Sequence, residues 1–202
     1  MIKAGFFMKI YKLFIPIFMI LTLALGLIQP IIETGESINS KVFRLHILAN
    51  SDMPQDQSIK LKVRDYMLND FADVFIGETL EENIRIARQN INNINSRISD
   101  YLQKSGYNCT VKTEVVKEYF KTRMYDDFTL PAGIYNSLRI EIGRGEGHNW
   151  WCIIFPQVCL SCCTQSLKDY MTDDEYRLIT SPYTPKFKII EIYERIKEKS
   201  RD

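Results

Sequence analysis

The chain has 202 residues, 46% apolar and 25% charged, which are ordinary values for a globular protein and too apolar for a disordered one. Basic and acidic residues number 26 and 25. Setting aside the three lysines and two glutamates of the first 37 positions leaves the signs balanced, which excludes the basic surface that nucleic-acid binding needs and any strong attraction to anionic lipid.

Lys3, Lys9 and Lys12 precede an uncharged apolar run over 13–28, and Glu33 and Glu36 follow it. That charge order belongs to an export signal or to an anchor whose N-terminus stays inside. The run is short of the about 20 residues of a spanning helix, although Ile31 and Ile32 extend it past Gln29-Pro30. Ala24-Leu25-Gly26 offers small residues for a signal peptidase. Cleaved signal and retained anchor both stand, and either places the rest of the chain outside the cytoplasm. Residues 1–37 are read as this segment with a short linker, 38–165 as the main domain, and 166–202 as a C-terminal extension.

Residues 42–49 alternate, with Phe43, Leu45, Ile47 and Ala49 on one face and Val42, Arg44, His46 and Leu48 on the other, as in a strand lying on a core. Asp52, with Pro54 and Gln55 after it, reads as the cap of a helix whose stripe is Ile59, Val63, Met67, Phe71 and Val74. Gly77 breaks that helix, and Thr79 with Glu82 caps a second. The second carries Ile84, Ala87, Ile91, Ile94, Ile98 and Tyr101 at helical spacing and ends at Gly106. From 108 the period becomes two, predicting a strand to about 120. Leu138, Ile140 and Ile142 make another, and 150–155, apolar on both faces, reads as a central or doubly covered strand. The glycine-rich connection 144–149 predicts an antiparallel hairpin with a mobile loop between these last two. Residues 169–183 read as loop or short helix, and 188–199 as an amphipathic helix. The expected fold is α+β: a mainly antiparallel sheet of about four strands, two long helices packed on it, and a C-terminal helix.

Residues 130–159 are the most unusual stretch, holding both tryptophans, the glycine loop and two cysteines. Gly143-x-Gly145-x-Gly147 has the wrong spacing for a dinucleotide loop and leads into a strand rather than a helix. Cys159-x-x-Cys162 has zinc-knuckle spacing, but a second such pair is missing and an exported chain favours oxidation. A disulfide between Cys152 and Cys159 is one reading; buried thiols at Cys152 and Cys109 are the other. His46 and His148 accompany no catalytic signature and read as surface histidines. Asp126-Asp127 and Asp173-Asp174-Glu175 read as solvated turns. Trp150 and Trp151 point to opposite faces of a strand, so one can enter the core while the other meets solvent, a partner or a second layer.

Arg44-Leu45-His46-Ile47-Leu48-Ala49-Asn50-Ser51-Asp52, with Asp56-Gln57 and Lys60-Leu61-Lys62-Val63-Arg64-Asp65, resembles the N-terminal signature of the stage II sporulation protein R family of endospore-forming bacteria. Leu130-Pro131-Ala132-Gly133-x-Tyr135, Leu138-Arg139-Ile140, Gly143-x-Gly145-x-Gly147-x-Asn149-Trp150-Trp151-Cys152 and Phe155-Pro156 to Cys159 resemble its second signature. Gln157-Val158 replaces the usual Pro-Leu, and Cys162-Cys163 lies outside the pattern. The resemblance implies a signal rather than an enzyme. It would be made in the forespore, exported to the space between forespore and mother-cell membranes as a secreted or N-terminally anchored protein, and would trigger a membrane-embedded aspartic protease that processes the early mother-cell pro-sigma factor. No catalytic residue, cofactor, metal, nucleic acid or small-molecule substrate is expected. Membrane contact would come through the N-terminal segment. The partner-binding candidates are Trp150, Trp151, Asn149, Gly145 and Gly147, with Arg44, His46, Asn50 and Asp52 secondary. The rivals are a secreted enzyme using Cys152, Cys159 or His148, and an envelope-binding module.

Overall fold

The computed structural model describes residues 3–71, 74–156 and 164–200. Its centre is a mixed four-stranded sheet in an α+β fold. The strands are β1 (Phe43–Leu48), β2 (Val111–Phe120), β5 (Gly133–Ile142) and β6 (Asn149–Phe155), in the spatial order β2-β5-β1-β6. β2 pairs antiparallel with β5, β5 parallel with β1, and β1 antiparallel with β6. A two-stranded ribbon, β3 (Arg123–Met124) with β4 (Thr129–Leu130), accompanies it.

The predicted hairpin between the last two long strands is therefore not formed, because β1 lies between them. β1 carries Phe43, Leu45 and Ile47 on one face and Val42, Arg44 and His46 near or on the other, and all six of its residues are buried. A strand needing cover on both faces belongs inside the sheet, and this one takes the centre from β6. β6 is an edge strand, though its two faces are both covered, as its apolar run requires.

Two helical layers do the covering. α2 (Pro54–Asp70), α3 (Leu80–Gln89) and α4 (Ile91–Lys104) bring Ile59, Val63, Met67, Ala87, Ile94 and Ile98 against Phe43, Leu45, Ile47, Leu138 and Ile140. The single helix expected over 84–101 is broken at Asn90, whose side chain donates to the Ile86 carbonyl at 2.9 Å. That bond offers the backbone an alternative to helix continuation. Thr79 caps α3 as expected, accepting from the Glu82 N–H at 3.2 Å. Asp52 does not cap α2: Met53 occupies that place without a side-chain bond, and Asp52 turns elsewhere.

The second layer comes from both ends of the chain. α1 (Lys3–Lys41) runs unbroken through Pro30 and across the 37/38 position, and α6 (Asp173–Thr180) and α7 (Pro185–Lys199) pack beside its last turns, with α5 (Thr164–Tyr170) against α6. Ile38 and Val42 join Leu178, Ile179, Phe187 and Ile190 with Tyr135 and Ile153 of the sheet in one core. Gly35 makes the close crossing possible, since a Cβ there would sit 3.0 Å from the Ile190 side chain. Glu175 is not part of a solvated turn. It is 2% exposed, closes the capping box of α6 with Thr172, and receives Lys41 Nζ at 2.7 Å and the Ser37 hydroxyl at 2.5 Å. Asp126 and Asp127 do lie exposed, in the β3–β4 turn.

Among the described residues one helix, over Phe14–Lys41, is long and apolar enough to cross a membrane. A signal sequence satisfies the same criterion. Phe14, Phe18, Leu23 and Leu27 stand exposed along it.

Candidate functional site

Crossing over the end of β1, the 143–148 connection meets the turn that follows β1, and the two loops are bonded together. The Gly147 N–H donates to the Ala49 carbonyl at 2.9 Å, the Arg144 N–H to Asn50 Oδ1 at 3.0 Å, and the His148 N–H to Asp52 Oδ1 at 2.6 Å. From α2, Lys60 Nζ reaches the His148 carbonyl at 2.9 Å. The glycines are needed for this contact. Gly143 and Gly145 have φ of 62° and 65°, a region costly for other residues, and a Cβ on Gly147 would sit 2.3 Å from the Ser51 carbonyl oxygen. The loop read from sequence as a mobile hairpin tip is thus a seam between the two signature stretches.

Electrostatics reinforce the seam. The side-chain bond from His148, aided by the His148 backbone N–H, holds the Asp52 carboxyl below the usual carboxylate range. Bonds from Ser51 and Asn50, at 2.5 and 2.8 Å, do the same for Asp56. Burial pushes the Lys60 ammonium down, with the nearby Asp52 charge opposing. His148 is on the surface, as expected. Its Nδ1 bonds to Asp52 and the Ser51 hydroxyl donates to Asp56, so no hydrogen bond links this imidazole to a nucleophile among the described residues.

The tryptophans divide between the layers. Trp150 packs half-buried on the α2–α4 side, with the Arg64 guanidinium 5.4 Å from its ring centre. Trp151 packs half-buried on the other, 5.8 Å from the His46 ring and 5.4 Å from the Arg123 guanidinium. Neither is a fully exposed anchor.

Arg44 and His46 correct the sequence reading most. Both were placed on a solvated polar face; they are 0% and 7% exposed. Arg44 lies 4.1 Å from the Phe120 ring centre and 5.0 Å from that of Tyr135, and its Nη2 donates to the Tyr125 hydroxyl at 3.0 Å. His46 Nδ1 lies 3.0 Å from the Glu118 carboxylate, two strands away. β5 presents the small Ser137 between them, which leaves room for the contact. Burial works to raise the Glu118 carboxyl, but the His46 bond, with the charges of His46 and Arg139, outweighs it and holds the group below the ordinary range. As the ionised acceptor, Glu118 fixes the His46 proton on Nδ1.

Sequence reasoning missed Glu118 and Tyr125, and gave Tyr135 only as a member of the second signature. Glu118 and Phe120 share a strand face by their spacing of two, but nothing local signals that this face is covered. Tyr125 arrives on the β3–β4 ribbon, too short to leave a periodic trace.

The structure brings Asn50, Asp52, Gly145 and Gly147 together at the seam, and Arg44, His46, Asn149 and Trp151 around a pocket beside it. Trp150 stands on the opposite face. Cys152 is disulfide-bonded, whereas its expected pairing with Cys159 and the zinc-like spacing of Cys159 and Cys162 lie outside the described residues. Cys109 is a free thiol whose ionisation burial makes harder. Among the described residues no three His, Cys, Asp or Glu side chains gather as a metal site.

Comparison with known proteins matches residues 39–165 to the family model described as stage II sporulation protein R. A curated relative, stage II sporulation protein R of Bacillus subtilis (strain 168), is 34% identical over 133 residues, covering 65% of this chain. The match spans 57% of that relative's length. No solved structure matches. The matched span contains the whole sheet, both signature stretches and the seam that joins them, and the chain belongs to the stage II sporulation protein R family.

Proposed function

We propose that the protein is an exported sporulation signal that activates a membrane-embedded aspartic protease of the mother cell, leading to processing of the early mother-cell pro-sigma factor. It acts from the space between the forespore and mother-cell membranes, as a ligand and not as an enzyme. The observation that carries this reading is the family match over 39–165. The joined signature stretches support it, because residues far apart in sequence form one rigid surface at the edge of the sheet. Trp151, Asn149, Asn50 and Asp52 are the contact residues on that surface. Binding switches the protease only by favouring its active arrangement over its resting one.

Reconstitution tests this. The chain from Leu27, which keeps the packed turns of α1, is added to the external face of membranes carrying the protease and its pro-sigma substrate. Cleavage should depend on the added protein and should fall at least tenfold with Trp151→Ala while the domain remains folded. Equal cleavage with and without the protein would refute the signalling role.

A further inference from the structure

Beside the seam, Arg44, His46, Phe120, Arg123, Asn149 and Trp151 line a pocket of about 400 Å³, completed by Tyr119, Lys121 and Thr122. Its charged walls are all basic. Arg44, wholly buried, has Nε and Nη1 without a hydrogen-bond partner among the described residues, and His46 Nε2 is likewise buried and unpartnered there. A buried cation is costly unless an anion and hydrogen bonds answer it. The rings of Phe120 and Tyr135 and the Tyr125 hydroxyl answer Arg44 in part. Glu118, the nearby acid, is taken by His46 and stands 3.9 Å from Arg139.

We propose that this pocket binds a carboxylate, borne by an aspartyl or glutamyl side chain or by a chain terminus. Arg44 Nε–H and Nη1–H, on separate edges of the guanidinium, are the donors left for the oxygens of a carboxylate. The half-buried Trp151 ring receives the aliphatic stem of a peptide ligand, and Arg123 and Lys121 at the mouth attract its charge. Phosphate offers no stem for the Trp151 ring. The pocket's preference is a property of this chain and holds whether or not the protease is the partner; on the signalling reading, it seats an acidic residue of the protease's external segment.

Trp151 lines the pocket and reports on it. In the full chain in detergent, Trp150→Phe leaves Trp151 as the sole tryptophan, and its fluorescence is titrated with four probes. These are N-acetyl-glutamate N-methylamide, N-acetyl-glycine, N-acetyl-glutamine N-methylamide and inorganic phosphate. A saturable change in the millimolar range is expected with one or both carboxylates, the stronger identifying side chain or terminus as the source, and none with the glutamine probe. Arg44→Lys, which keeps the charge and loses the Nε–H and Nη1–H donors, should weaken binding at least tenfold. Arg123→Ala, at an exposed position of the β3–β4 ribbon, should weaken it about threefold. No saturation with either carboxylate, an equal response to the glutamine probe, or a response to phosphate alone would each overturn the assignment.

Discussion

Glu175 shows how far a single side chain can stand from its sequence appearance. Within Asp173-Asp174-Glu175 it looks like one of three solvated acids, yet it joins α6 to the last turn of α1 through Lys41 and Ser37. Burial pushes its carboxyl up, but the bonds from Lys41, Ser37 and the Thr172 N–H outweigh that and hold it below the ordinary glutamate range. A folded value below the unfolded one, about 4.3, means the stabilisation is complete above the unfolded value and disappears as pH falls through the folded one. Glu175→Ala should cost about 2–3 kcal/mol at neutral pH, because it leaves a buried N–H unanswered and a lysine unpaired. Glu175→Gln should cost less at neutral pH and nothing relative to the parent once the pH lies below the folded value, where the parent's carboxyl is protonated too. Thermal unfolding across the acid range measures both.

At the scale of elements, two junctions hold the molecule together. The first is the seam. Gly147→Ala would drive a methyl group against the Ser51 backbone, so the loops must part, at a cost of about 1–3 kcal/mol. Hydrogen exchange should quicken at the Gly147 and His148 amides, whose acceptors are Ala49 and Asp52, while the amides of β5 stay protected. The second junction is the end of α1 on α6 and α7. A chain beginning at 38 loses Gly35 against Ile190, the ion pair of Glu36 with Lys197, and the Ser37 bond. It should melt several degrees below a chain beginning at Leu27; equal melting temperatures would mean that these turns do not belong to the fold. Helices α2 and α7 and strands β2 and β5 were legible from periodicity, because their burial is one-sided or nearly so. The order of strands was not. Residues 42–49 alternate like a strand with one wet face, since Arg44 and His46 are polar, and only long-range partners on β2 and the β3–β4 ribbon reveal that this face is dry. With β1 read as half-exposed, the glycine connection reads as a hairpin. The resemblance named the right stretches and left their geometry open.

For the whole molecule, the sheet is held between a layer made from its middle segments and a layer made from its two ends. The apolar N-terminal helix therefore continues into the domain, which fixes the domain to that helix without a flexible linker. If α1 remains in the membrane, the domain sits against it at a set orientation and offers one face to a neighbouring membrane protein; if the helix is cut near Gly26, the packed turns remain and the face is unchanged. On that face stand Asn149 and Trp151 with the basic pocket, and the seam borders it. Asn149 is exposed and Lys104, at the end of α4, is exposed on the other helical layer. The most direct measurement is site-specific photo-crosslinking in membranes that carry the protease, with the photoreactive residue placed at position 149 in one sample and at 104 in another. A crosslink to the protease from 149 and none from 104 is the expected result. A crosslink from 104 alone, or none from either in membranes where cleavage is proceeding, would contradict the claim that this edge of the sheet is the signalling surface.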